Sequence, residues 1–63
     1  MLFLKAITTD GKVELFNVSN ILSIQHDSES TLKILMGAGL YWYVKKESIT
    51  YIDCINGLMD EIK

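Results

Sequence analysis

Sixty-three residues allow one domain, near the lower size at which a chain folds without a covalent or metal staple. Hydrophobic residues make up 49% of the chain, which excludes disorder, and a single cysteine excludes an internal disulfide. The formal net charge is −2 and all six basic residues are lysines, so the chain lacks the arginine fork that suits phosphates and guanine edges, and nucleic acid is a disfavoured partner.

No apolar run approaches the roughly 18 residues of a membrane span. The opening Met1-Leu2-Phe3-Leu4 is broken by Lys5 and then Asp10, so it lacks the apolar stretch of a signal peptide. One free cysteine suits a reducing compartment, and the expected location is the cytoplasm. At this length apolar burial barely offsets chain entropy, and a homo-oligomer would tip the balance by removing more apolar area from water.

Asp10-Gly11 lies between two apolar runs and predicts a hairpin with a two-residue loop. That loop sets Thr8 opposite Val13, Ala6 opposite Leu15 and Leu4 opposite Asn17. Leu2, Leu4, Ala6, Val13 and Leu15 then share the core face. Phe3, Lys5, Ile7, Glu14, Phe16 and Val18 share the other, with Lys5 and Glu14 near enough to pair. This second face is too apolar to be fully wet.

Ser19-Asn20 marks a break, and residues 21–26 read as the third strand, followed by the polar turn Asp27-Ser28-Glu29-Ser30. Residues 31–36 alternate, with Leu32, Ile34 and Met36 opposite Thr31, Lys33 and Leu35. Gly37-Ala38-Gly39 supplies a turn. Residues 40–45 alternate again, with Leu40, Trp42 and Val44 opposite Tyr41, Tyr43 and Lys45. From Ser48, a predicted helix N-cap, the period changes. Ile49, Ile52, Ile55, Met59 and Ile62, widened by Leu58, form a helical stripe, with Thr50, Asp53, Asn56, Asp60 and Glu61 on the other side. Gly57 falls inside it at a cost of about 1 kcal/mol. The predicted fold of residues 1–63 is a single α+β, mainly β domain: an antiparallel meander of about five short strands followed by one C-terminal amphipathic helix on one sheet face.

Few residues suggest chemistry. His26 and Asp27 are adjacent, so on a strand they point to opposite faces, and they read as a strand-end histidine beside a solvated turn aspartate. Cys54 borders the helical stripe next to Asp53, whose carboxylate raises a thiol pKa, the wrong direction for a nucleophile. One histidine and one cysteine among scattered carboxylates make no metal signature, and Gly37-Ala38-Gly39 is no nucleotide fingerprint. No catalytic, cofactor or metal site is predicted, and no enzyme activity. The aromatic cluster Tyr41-Trp42-Tyr43 carries more. Trp42 belongs in the core beneath the helix. Tyr41 and Tyr43 read either as half-exposed surface aromatics or as interface anchors, since tyrosine buries much area at little entropic cost. With Phe3, Phe16 and Val18 they make up the candidate interface.

Asp10-Gly11-Lys12, then Asn20-Ile21 and Ile24, a polar turn, a glycine and the step Tyr43-Val44-Lys45-Lys46-Glu47-Ser48 into an isoleucine-rich segment form a layout over nearly the whole chain. It resembles the small flagellar proteins of the FlbD (SwrD) family, apart from the aromatic cluster and the absence of an obviously basic tail. That resemblance implies a cytoplasmic accessory of flagellar motility without enzymatic activity. The same stretch is similar to the first half of a LytTR-type domain, whose DNA-reading portion follows the helix as a basic segment. This sequence runs to Lys63 without one, so DNA binding is not expected. The reading that results is a non-enzymatic binding or assembly module that self-associates. The alternative is a small phage- or mobile-element-type inhibitor docking on a larger host protein, with nucleic-acid binding third.

Overall fold

The computed structural model describes residues 1–55 and 58–62, with side chains described through Asp53. Seven strands follow in chain order: β1 (Leu2–Ile7), β2 (Val13–Asn17), β3 (Ile21–His26), β4 (Thr31–Met36), β5 (Tyr41–Lys45), β6 (Thr50–Ile55) and β7 (Leu58–Ile62). Short 3₁₀ turns occupy Val18–Asn20, Gly37–Gly39 and Lys46–Ser48. One antiparallel sheet has the order β2-β1-β6-β7 and the other β3-β4-β5. The mainly β, antiparallel character expected from the sequence is present, but as seven strands in two sheets rather than one meander of about five; β3-β4-β5 alone forms a meander.

The two sheets bury their inner faces against each other. Leu4 and Ala6 of β1, Phe16 of β2, Leu32 and Ile34 of β4 and Val44 of β5 form the core, with Val18, Ile21, Met36, Trp42 and Ile49 packed around it. The Phe16 and Trp42 rings meet edge to face at 5.4 Å, which joins the sheets through one aromatic contact. The sheets also touch at a backbone corner. Thr8 bridges to Val44, and the Thr9 amide donates to the Tyr43 carbonyl at 3.0 Å.

The first hairpin corrects the predicted register. Leu4 faces Phe16, Lys5 faces Leu15, Ala6 faces Glu14 and Ile7 faces Val13. The loop has three residues rather than two. The Thr8 amide donates to the Lys12 carbonyl at 2.7 Å, and the Gly11 amide donates to the Thr8 carbonyl at 2.9 Å. Gly11 takes φ +91°, the left-handed conformation that closes a three-residue loop with a bulge. The Thr8 hydroxyl donates to Asp10 Oδ1 and accepts from the Lys12 amide at 3.0 Å, which favours this loop over the shorter one. One added residue turns every side chain of β2 to the other face. Phe16 is therefore 4% exposed in the core, while Val13 and Leu15, expected there, are 59% and 48% exposed. Leu2 is exposed near the sheet end, and Val18 packs against the core. Lys5 and Glu14 stand at register positions of opposite faces rather than as a pair.

The second correction is the C-terminal helix. The segment that reads as an amphipathic stripe forms β6, paired to β1, and β7, paired to β6. Residues 49–55 hold three isoleucines, a threonine and a tyrosine, which lose rotamer freedom in a helix and fit a pleated surface. Without β6, the inner strand β1 would leave one row of amides and carbonyls unpaired beside the core. A spacing of three residues between isoleucines suits a helix on paper, and this backbone demand overrides it. Asn56-Gly57, read as helix interior, lies outside the described residues. Asn-Gly is also the dipeptide most favoured between hairpin strands, a competing signal already present in the sequence. Ser48 caps no helix. Its hydroxyl accepts from the Ile7 amide at 2.8 Å and donates to the Lys45 carbonyl at 2.7 Å, tying the 3₁₀ turn to β1.

Two measurements check the hairpin. Phe16→Ala should lower unfolding stability by about 3–5 kcal/mol in urea, whereas Leu15→Asp should stay folded with near wild-type circular dichroism. The opposite pattern would restore the two-residue loop. The Asp10 carboxyl is held below its usual range, chiefly by the Thr8 hydroxyl, with backbone amides and the Lys12 ammonium also lowering it against a smaller opposing effect of burial. A folded value below the unfolded one lends stability that is complete above the unfolded value and lost as pH falls through the folded one. The melting-temperature advantage of wild type over Asp10→Asn should accordingly be present at neutral pH and close as pH drops below about 4.

Candidate protein interface

The five residues expected at an interface separate into three environments. Phe16 lies in the core and is corrected to a structural role, because the three-residue loop turns it inward. Val18 is half-buried against the same core. Phe3 is half-buried on the outer face of the β2-β1-β6-β7 sheet. Tyr41 and Tyr43 are 48% and 37% exposed on the outer face of the β3-β4-β5 sheet.

The outer face of the second sheet follows from its register. Leu35 pairs with Tyr41, Lys33 with Tyr43 and Thr31 with Lys45, and Ser23 and Gln25 face Leu35 and Lys33 across β3. Paired residues share a face, so these side chains stand opposite Ile34, Trp42 and Val44. The tyrosine rings meet edge to face at 5.5 Å, and Lys33 Nζ lies 4.5 Å from the Tyr41 ring centroid. Lys33 and Lys45 make no ion pair with a described carboxylate. The result is an exposed aromatic surface with two ammonium groups on a chain of net charge −2.

The outer face of the first sheet sets apolar side chains around Lys5, which pairs with Leu15 on one side and Thr50 on the other. Phe3, Ile7, Val13 and Leu15 share it by register, together with Ile52, which is 7% exposed and lies outside the core cluster. An open groove of about 500 Å³ lies at another part of the surface, beside the 3₁₀ turns at Val18–Asn20 and Gly37–Gly39. Its walls include Leu22, Met36, Leu40 and Trp42, of which Leu22 and Leu40 are exposed. The strand β3 next to it is an edge strand of its sheet.

The residues considered for chemistry lie apart from these surfaces. His26 is exposed at the end of β3 and Asp27 is exposed in the turn after it. Cys54 is in β6, and its side chain lies outside the described residues. Among the described residues no three His, Cys, Asp or Glu side chains are placed to share a metal ion. No helix among them is long and apolar enough to cross a membrane.

Sequence reasoning missed Val13 and Leu15 as surface residues because the slipped register hid them. It also passed over Lys33, although Lys33 and Tyr43 fall on one side once the alternations of β4 and β5 are paired antiparallel. Replacing Lys33 with glutamine should cost about 0.5–1 kcal/mol, the value of an exposed cation–π contact, read as a small shift in the urea midpoint with an unchanged slope.

The chain matches no family model, no curated protein and no solved structure.

Proposed function

We propose that this chain is a non-enzymatic protein-binding module that assembles with copies of itself through the outer face of the β2-β1-β6-β7 sheet. The observation that carries this reading is Val13 and Leu15, both exposed on edge strand β2 and sharing a face with Phe3 and Ile7. Exposed aliphatic side chains grouped on an edge strand mark an interaction site, and Lys5, paired to Leu15, lies among them. A chain of 7.2 kDa gains disproportionately from covering it, because its core is small. The same patch on two copies is self-complementary about a two-fold axis, the commonest symmetry of small homo-oligomers. The FlbD-like layout also suits a non-enzymatic accessory role. Its Tyr43–Ser48 step falls in β5 and the following 3₁₀ turn, and the isoleucine-rich segment after it begins as strand β6 rather than a helix.

A second reading, docking of a single copy on a larger protein, is favoured by the open groove at Leu22, Met36, Leu40 and Trp42, where apolar side chains are exposed beside edge strand β3.

Light scattering at high micromolar concentration separates the two. Wild type should show a multiple of 7.2 kDa, and the double variant Val13→Glu with Leu15→Glu should show the single-chain mass while keeping its circular dichroism spectrum. A monomeric wild type overturns self-association. A folded variant with the wild-type mass moves the interface off this face.

A further inference from the structure

We propose that the outer face of the β3-β4-β5 sheet binds an extended acidic segment of a partner protein, one that alternates carboxylates toward Lys33 and Lys45 and sets an apolar residue on Tyr41 and Tyr43. The proposal rests on the protein-binding reading and gives that binding a chemistry and a place distinct from the self-association face.

Charge segregation is the first argument. The chain has eight Asp and Glu residues, yet none occupies a register position on this face, which carries both lysines and both tyrosines. The nearest acids along the chain, Glu47 in the 3₁₀ turn after β5 and Asp27 and Glu29 in the turn before β4, stand off the strands, and none of the three forms an ion pair with Lys33 or Lys45. A molecule that is acidic overall therefore presents one cationic, aromatic sheet face. Electrostatic complementarity of this kind selects anionic partners and repels cationic ones.

Spacing is the second. Lys33 is paired with Tyr43 and Lys45 with Thr31, so the lysines are diagonal neighbours on adjacent strands. Diagonal neighbours lie about 7–8 Å apart. Carboxylates two residues apart on an extended segment lie about 6.7 Å apart on one side, close enough to engage both ammonium groups together. The Lys33 ammonium is already parked over the Tyr41 ring, so a carboxylate completes a pre-placed cation rather than ordering a free side chain.

Charge arithmetic decides between acidic peptide and nucleic acid. Two lysines match the few carboxylates of a short segment. A polyanion would meet only those two charges here and the acidic remainder of the chain beyond them.

The test is an amide-shift titration of the full chain by NMR with three probes: a synthetic peptide of alternating Glu with one Leu or Phe, the same peptide with Lys for Glu, and a short oligothymidylate. The acidic peptide should shift the amides of Lys33, Tyr41 and Tyr43, weaken with added salt, and lose at least about tenfold in affinity in Lys33→Glu with Lys45→Glu. No shift at millimolar acidic peptide, equal binding of the lysine peptide, tighter binding of the oligothymidylate, or shifts confined to the groove at Leu22 and Leu40 would each overturn it. Light scattering of the same samples keeps the two readings apart. The lysine variant should retain the wild-type association state, and a fall to monomer would assign this face to self-association instead. A monomeric wild type that still binds the acidic peptide removes the self-association reading and supports this one.

Discussion

The hydrogen bonds between Thr8 and Lys12 set the register on which the rest of the first sheet depends. The Thr8 amide and hydroxyl both engage the Lys12 backbone, and the hydroxyl also reaches Asp10, so the loop closes around three residues with Gly11 left-handed. A strand has only two faces, and the loop length decides which one each residue of β2 takes. Phe16 enters the core because of it, and Val13 and Leu15 go outside. The Phe16–Trp42 contact, which ties one sheet to the other, exists only in this register. Thr8 also lies at the corner where the first sheet meets β5, so the loop that sets the register also stitches the layers.

The second organising element is β1. It is an inner strand, with β2 on one side and β6 on the other, and it contributes the nearly inaccessible Leu4 and Ala6. The Ile7 amide at its end is taken by the Ser48 hydroxyl. A 3₁₀ turn from Lys46 to Ser48 then delivers the chain to β6 in antiparallel alignment. The core is covered by a second sheet where a helix was expected, and each sheet keeps an outer face of its own. These outer faces differ in chemistry: one sets Phe3 and aliphatic side chains around Lys5, the other sets Tyr41 and Tyr43 beside Lys33 and Lys45.

Much of this was legible in the sequence, and the failures have definite causes. Strands 21–26, 31–36 and 40–45 and their turns were readable from alternation and glycine placement, the last beginning one residue later, at Tyr41. The inward Leu32, Ile34 and Val44 and the outward Tyr41 and Tyr43 followed from period two. The β2 register was not readable, because Asp-Gly serves two-residue and three-residue loops equally well and the choice rests on a threonine side chain two positions upstream. The C-terminal strands were misread because Ile49, Ile52, Ile55, Met59 and Ile62 satisfy a helical stripe. Their β-branching and the demand of β1 for a neighbour, which is a tertiary effect, pull the other way. The first error also moved side chains between faces: Phe16 and Val18, expected outside, lie in or against the core, and Val13 and Leu15, expected inside, are exposed. Tyr41 and Tyr43, on a strand with no register ambiguity, are exposed as the alternation predicts.

The pairing of β1 with β6 also shapes how the chain reaches this structure. The ion pair between the Met1 amino group and Asp53 at the end of that pairing spans 52 positions, whereas β3, β4 and β5 pair through short local turns. Closing the long loop carries a larger entropic penalty than closing the meander turns. Sequence separation alone thus favours early pairing of the meander, since β1 needs the last third of the chain to pair with β6. During synthesis on a ribosome, the β1–β2 hairpin emerges with one edge of β1 open and its partner strand not yet made. The order in which the chain appears leaves the strand that carries Leu4 and Ala6 without its second neighbour until β6 is made.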